Sequence, residues 1–130
     1  MAELIGTYLI LMLGSGSVMS AVFTGSLVGL FQIASCWIIS VTVAIYCTSK
    51  ISGAHLNPAI TVALATFRGF EWKKVVPYSL AQLTGAMLGS LTSYFMYAST
   101  IQAFESANGI IRSSVETGII SAKVFGEYFA

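Results

Sequence analysis

Charged side chains are scarce in this chain of 130 residues: only 8% are Asp, Glu, Lys or Arg, whereas 56% are hydrophobic. An ordinary soluble protein has about 25% charged residues. No charged residue lies between Glu3 and Lys50, and none lies between Lys74 and Glu105. A bilayer core of about 30 Å takes about 20 apolar helical residues, so the first gap holds two spans and the second holds one. The composition therefore indicates a membrane protein.

Other absences exclude further classes of protein. The net charge is +1 and the Lys and Arg residues are scattered, so no basic stripe for nucleic acid is present. Cys36 and Cys47 lie in one apolar segment, about 16 Å apart along a helix, which is too far for a disulfide. The sequence has no catalytic triad, no paired carboxylates and no phosphate-binding loop. We therefore expect neither an enzyme nor a bound cofactor.

Three segments are predicted to span the membrane, at about 4–23, 30–48 and 75–97. No positively charged region precedes the first segment and its apolar run continues into the second, so we interpret it as a retained helix rather than a cleaved signal. The third segment has a small residue at every fourth position, which predicts a smooth face for packing against another helix, in preference to a merely flexible span: Ala81, Gly85, Gly89 and Ser93.

The distribution of charge predicts the orientation of the chain. Between the second and third spans, Lys50, Arg68, Lys73 and Lys74 outnumber the single acid Glu71. Because positively charged connections stay in the cytoplasm, the segment 49–74 is predicted to be cytoplasmic. The N-terminus is then cytoplasmic as well, and the connecting segment 98–130 is extracellular. We expect a multi-pass integral protein surrounded by lipid, most simply in the plasma membrane.

Residues 53–67 are too apolar for a solvated loop and too short to cross the bilayer. Asn57 is a favoured N-cap, and Pro58 suits the first helical position. Ten helical residues rise about 15 Å, which is half of a bilayer core. The segment is either a re-entrant half-helix or an amphipathic helix lying flat on the membrane. Its apolar residues surround the axis and its preceding loop is uncharged, which favours the re-entrant form.

A re-entrant loop has functional consequences, because non-helical backbone at membrane depth is tolerated only beside a cavity or a water-filled path. The Asn57 amide would donate hydrogen bonds at the tip of the loop. The positive end of the half-helix dipole lies at the same point and disfavours cations. Such a path suits small neutral hydroxylic molecules. Its row of acceptors would be the carbonyl oxygens of Gly53, Ala54, His55 and Leu56.

The stretch 52–61, Ser-Gly-Ala-His-Leu-Asn-Pro-Ala-Ile-Thr, resembles the first signature loop of the aquaporin and glycerol-facilitator family of major intrinsic proteins. Residues 2–7, 81–86 and 114–116 are also similar to that family. The resemblance covers essentially the whole chain, but only the first half of the family's pattern. It implies an all-α fold of three transmembrane helices plus one re-entrant half-helix, the first repeat of an inverted-repeat channel that assembles as tetramers.

The resemblance also implies roles for individual residues. Family members conduct glycerol, water and similar neutral solutes passively and exclude ions and protons. Asn57, Pro58 and Ala59 would form the signature at the membrane midplane, and residues 53–56 would form the carbonyl track. Trp37 falls at the second-helix position of the narrow aromatic filter, where tryptophan is similar to glycerol facilitators. The alternative is a lipid-facing or interfacial Trp, but Trp37 lies about 10 Å into its helix.

Two polar residues near the loop each have two interpretations, and a third is assigned to the backbone of the loop. By itself Glu3 is a solvated charge at a helix end, whereas the resemblance implies a buried carboxylate that accepts hydrogen bonds from loop N–H groups. Gln82 either helps to hold the loop or makes a simple interhelical hydrogen bond. We assign His55 to the backbone track without a titration role, and no second His, Cys pair or acid cluster supports a metal site.

The sequence departs from the family's pattern because it has no second Asn-Pro-Ala and no filter arginine. We expect a truncated form of a protein about twice as long, or else a natural half that pairs with a second-half repeat. Two functions follow. The chain is part of a passive channel for glycerol and water, or it is a non-conducting subunit that associates with full-length channels through surfaces such as the face from Ala81 to Ser93.

Overall fold

The computed structural model describes residues 1–27 and 29–125, so the last five residues of the predicted segment 98–130 lie outside the described residues. All regular structure in the described ranges is helical. A π-helical turn, Ser20–Thr24, extends the first helix, and a 3₁₀ turn, Lys123–Phe125, follows the last. The five α-helices are α1 (Ala2–Met19), α2 (Leu30–Ser52), α3 (Pro58–Phe67), α4 (Trp72–Ala107) and α5 (Val115–Ala122).

Within the described part of the chain, two helices are long and apolar enough to cross a membrane. They are α1 with its π-helical extension, Ala2–Thr24, and α2, Leu30–Ser52, each of 23 residues. This architecture is that of an all-α membrane protein, as the composition predicts. The third predicted span, 75–97, lies within the less apolar α4, so that crossing and the half-crossing of α3 stay predictions.

The helices extend beyond the segments that hydropathy marks. α2 continues through Lys50, whose positive charge favours a helix C-terminus. It ends only where Gly53 takes a left-handed conformation, with φ +86°. α4 begins at Trp72 and runs to Ala107, because its polar residues after position 97 are compatible with a helix even though they are less apolar.

α1 is the central helix of the described structure. It packs against α4 along most of its length and against α2 on another side, while the short α3 packs against α4. Because α3 packs on α4 and the loop before it contacts the distant α1, the packing of α1 against α4 determines where the candidate site lies.

The row of small residues on α4 allows a close approach to α1. A Cβ atom added to Gly85 would lie 2.2 Å from the Leu4 carbonyl oxygen, and one added to Gly89 would lie 2.5 Å from that of Tyr8. Ser93 Oγ donates to a carbonyl oxygen of α1 at 2.8 Å. The predicted packing face is therefore confirmed, with α1 as its partner. Its suggested use as a surface for other channels is wrong, because α1 of the same chain covers it.

Gly85→Ala is expected to destabilise the packing of α1 against α4. The added methyl group would meet backbone atoms of α1, which move only with the whole helix, and overpacking of this kind costs about 1–3 kcal/mol. Thermal unfolding in detergent measures the loss. Thr84→Ala is the control, because Thr84 is the exposed neighbour on the same helix. Equal unfolding temperatures for the two variants would contradict the close approach.

An ion pair holds the turn after α4 onto the last turns of that helix. Arg112 Nε donates to both carboxylate oxygens of Glu105, at 2.9 and 2.8 Å, and Arg112 Nη1 donates to the Tyr94 hydroxyl at 3.0 Å. The hydrogen bond to Tyr94, together with that to Glu105, raises the pKa of Arg112 above its ordinary value. These contacts fix the backbone that leads into α5 against α4.

Candidate functional site

The loop between α2 and α3, residues 53–57, has an uncommon backbone. Its φ angles are +86° at Gly53, +50° at Ala54 and +54° at Leu56. Glycine adopts this left-handed region freely, whereas residues with a Cβ atom pay about 1–2 kcal/mol. Such residues persist only where the surrounding structure holds them, and they occur often at functional sites. The contacts that hold Ala54 and Leu56 are therefore the first feature of the site.

The carboxylate of Glu3 is the main anchor of the loop. Its Oε1 accepts from the Ser52 hydroxyl at 2.5 Å and from the His55 backbone N–H at 3.1 Å. Its Oε2 accepts from the Leu56 backbone N–H and from Gln82 Nε2, both at 2.7 Å. Glu3 is only 3% exposed. One side chain of α1 thus satisfies donors from the end of α2, from the loop and from α4.

Thr61 extends this network into α3. Its hydroxyl accepts from Gln82 Nε2 at 3.0 Å and donates to the Asn57 carbonyl oxygen at 3.0 Å. The same hydroxyl lies 3.3 Å from His55 Nδ1. Thr61 is fully buried, and Gln82 is 1% exposed. Gln82 thus contacts both the anchor Glu3 and the helix that follows the loop.

The imidazole of His55 is packed between two aromatic rings. Its centroid lies 4.6 Å from that of Phe70 and 5.1 Å from that of Tyr78. The Tyr78 hydroxyl in turn donates to the Ser52 carbonyl oxygen at 3.1 Å. These contacts place the His55 side chain in the supporting structure beneath the loop. Among the described residues, no group of three or more His, Cys, Asp or Glu is placed to hold a metal ion.

Sequence patterns assign no role to four of the supporting residues: Ser52, Thr61, Phe70 and Tyr78. The contact of Thr61 could have been predicted, because Thr61 follows Asn57 by four positions and so lies one helical turn away. The contacts of Phe70 and Tyr78 could not, since no local pattern indicates which aromatic residues will meet a distant histidine.

Asn57 caps α3 with its side chain. Its Oδ1 accepts from the Ala59 backbone N–H at 2.8 Å, and Pro58 occupies the first helical position. Because the oxygen is used by the cap, the amide N–H₂ group is the part of the side chain left to donate to another molecule. Asn57 is exposed, so this donor is accessible.

A cavity of about 360 Å³ lies against the loop. Ala54, His55, Leu56 and Asn57 line it, and Trp37 of α2 lines it as well. Within the described part of the chain, no backbone N–H donates to the carbonyl oxygens of residues 53–56. Gly53, Pro58 and Ala59 are not among the lining residues. The rest of the lining is apolar: Ile10, Leu11, Val41, Ile45 and Ile60.

Trp37 lines two cavities. A second cavity of about 280 Å³ shares Trp37 and Leu11 with the first, and Lys123, Val124 and Phe125 also line it. Trp37 is half-buried, with part of its indole against α1. The structure therefore places Trp37 beside the same space as the loop and brings Glu3 and Gln82 together beneath it.

The sequence of the chain is similar to those of known proteins. The model of the major intrinsic protein family matches residues 1–128. The chain is 42% identical to the propanediol uptake facilitator of Citrobacter freundii, over 98% of this chain and 47% of that protein. It is 39% identical to the glycerol uptake facilitator proteins of Pseudomonas aeruginosa and Escherichia coli K12, over 98% and 89% of this chain and 46% and 41% of those proteins.

The chain thus spans about half the length of the curated relatives that it matches. The match includes the anchor Glu3, the loop and Gln82, because it extends from the first residue past α5. The chain therefore belongs to the major intrinsic protein family, whose members are membrane channels and facilitators for small solutes.

Proposed function

We propose that the chain forms one half of a passive transmembrane channel for glycerol, other small neutral solutes and water. The observation that carries the proposal is the cavity beside the loop, which Trp37, Asn57 and residues 54–56 line together. The relatives named for glycerol and propanediol uptake support the same class of permeant.

The two walls of this cavity match the two sides of a small polyol. One wall has the loop, with carbonyl oxygens that accept no backbone hydrogen bond within the described residues. The other wall is formed by Ile, Leu and Val side chains. Glycerol has hydroxyl groups along one edge and C–H groups along the other, so both edges find suitable neighbours. Pockets of this kind, mostly apolar with a few placed polar groups, are typical of small-molecule sites.

The charge distribution favours neutral permeants over ions. The N-terminus of α3 begins beside the cavity at Asn57, so the partial positive charge of the helix dipole lies there. None of the residues that line the cavity carries a formal charge that would balance an entering cation. We therefore propose that cations are excluded at this point and that protons are not conducted.

The proposed membrane arrangement follows from the same features. The loop and α3 form a half-crossing, and α1, α2 and α4 form the three full crossings. Residues 1–3 and the segment 49–74 lie on the cytoplasmic side, and the segment 98–130 lies outside. A second repeat of opposite orientation completes the path. The complete assembly is a homo-oligomer, a tetramer if it is similar to the rest of the family.

Osmotic swelling of vesicles tests the proposal. The complete product of the gene that encodes residues 1–130 is reconstituted, and water and glycerol permeabilities are measured by stopped-flow light scattering. We expect both to exceed those of empty vesicles, and Trp37→Ala to change the ratio of glycerol to water permeability. A product that stays impermeable but co-purifies with a conducting relative would support the non-conducting subunit instead. Conduction unaffected by Trp37→Ala would contradict the proposed path.

A further inference from the structure

Gly14 of α1 lies directly behind the indole of Trp37. A Cβ atom added to Gly14 would lie 2.7 Å from Cε3, 2.7 Å from Cζ3 and 2.8 Å from Cδ2 of that ring. Carbon atoms in contact are normally about 3.5–4.0 Å apart. Even a methyl group at this position would therefore displace the indole by about 1 Å.

The backbone of Gly14 does not itself require glycine. Its φ is not among the positive values in the chain, and it lies within the regular helix α1, where glycine is less favourable than alanine. The three atoms that would lie nearest to an added Cβ atom all belong to the six-membered ring of Trp37. The absence of a side chain at position 14 thus leaves room for the large indole of Trp37.

α1 has little room to move away from the ring. Gly89 of α4 approaches the Tyr8 carbonyl oxygen of α1 so closely that an added Cβ atom would lie 2.5 Å from it. Trp37 itself lines two cavities. A side chain at position 14 would therefore push the indole towards that open space.

We propose that Gly14 is a specificity-determining positioning residue: because it lacks a side chain, the Trp37 indole can lie against α1, and this position sets the width of the path beside Trp37. This inference rests on the proposed channel function. Narrowing by about 1 Å hinders a solute the size of glycerol more than it hinders water, because passage depends on pore diameter.

The test compares Gly14→Ala with Gly16→Ala in the complete gene product, reconstituted in vesicles. A Cβ atom added to Gly16 would meet its nearest neighbour, Ser93 Oγ, only at 3.9 Å, which is an ordinary contact. For Gly14→Ala we expect the ratio of glycerol to water permeability to fall about tenfold, equivalent to about 1.4 kcal/mol on the glycerol barrier. Gly16→Ala should leave the ratio unchanged. The ratio does not depend on how many channels each vesicle contains.

Rescue by Trp37→Phe separates positioning from a merely structural role. A Phe ring has no counterpart of Cε3 and Cζ3 but keeps a Cδ2 atom, so Gly14→Ala should lower the ratio much less when residue 37 is Phe than when it is Trp. If Gly14→Ala prevents membrane insertion, adding Trp37→Phe should restore it. An unchanged ratio in Gly14→Ala, the same fall with Phe at position 37, or a failure to restore insertion would overturn the inference. A Trp37→Ala variant that conducts like the unaltered protein would instead overturn the proposed function.

Discussion

Vesicles that contain the Glu3→Ala variant are expected to be no more permeable to glycerol than empty vesicles. Four donors converge on the Glu3 carboxylate, from the loop, from Ser52 and from Gln82. Removing it leaves the His55 and Leu56 backbone N–H groups without an acceptor, and each unpaired buried group costs about 1–3 kcal/mol. Ser52 and Gln82 keep only their bonds to Thr48 and Thr61. The loop would also lose the hydrogen bonds to Glu3 that hold the left-handed backbone at Ala54 and Leu56. We therefore expect the loop to collapse into the cavity.

Two control variants distinguish the hydrogen bonds of Glu3 from its charge. In Glu3→Gln one side-chain oxygen remains, so one pair of donors keeps its acceptor while the other pair faces an N–H₂ group. This variant should be intermediate in thermal stability between the unaltered protein and Glu3→Ala. Glu71→Ala removes an exposed acid whose pairing with Lys74 is at the surface, where such pairs contribute little to stability. Glycerol conduction by Glu3→Ala at the unaltered rate would refute the role of the anchor.

Asn57→Asp is expected to leave the fold intact and lower glycerol permeability by about 10–100-fold. Aspartate is as good an N-cap as asparagine, so the hydrogen bond from the Ala59 N–H to the side chain survives. The donor that faces the cavity is replaced by a carboxylate oxygen. The oxygen of a permeating hydroxyl group then has no donor there, and leaving such an acceptor unpaired in a partly dry site costs about 1–3 kcal/mol, which matches the stated fall in rate.

Asn57→Ala completes the comparison, because it removes both the cap and the donor. It should lose about 1 kcal/mol of stability as well as conduction, whereas Asn57→Asp should lose conduction alone. Thermal unfolding in detergent and stopped-flow swelling measure the two effects separately. A normal rate of glycerol entry through the Asn57→Asp variant would exclude the amide as a donor to the permeant.

Local signals in the sequence predict the elements around the site. Asn57 and Pro58 mark the start of α3 because capping and the fixed φ of proline act within one turn. The end of α2 was predicted at 48, whereas the helix continues to Ser52 and ends at Gly53. The ends of α4 also differ from the predicted ones, because hydropathy reports where a helix meets lipid and not where its hydrogen bonding stops. That is why α4 runs to Ala107, beyond the predicted boundary near 97.

The contacts beneath the loop depend on residues far apart in the chain. From the residues alone, Glu3 is indistinguishable from a solvated charge at a helix end, and only the family resemblance assigned it to the loop. Its burial arises from the packing of α1 against α4, which no local pattern specifies. The position of Gly14 behind Trp37 is likewise a property of how two helices meet. Local signals thus predict the capped start of α3, whereas the contacts beneath the loop depend on how distant helices pack.

The spacing of the partners of Glu3 has a consequence for biogenesis. His55 and Leu56 follow Glu3 by 52 and 53 residues, and Gln82 follows it by 79. During synthesis the loop therefore emerges well before Gln82, and contacts over such separations form late because closing long loops costs entropy. Three of the four donors to Glu3 are therefore synthesised before the fourth, Gln82. The network can be completed only once α4 has been made, so the order of translation is part of how the site is built.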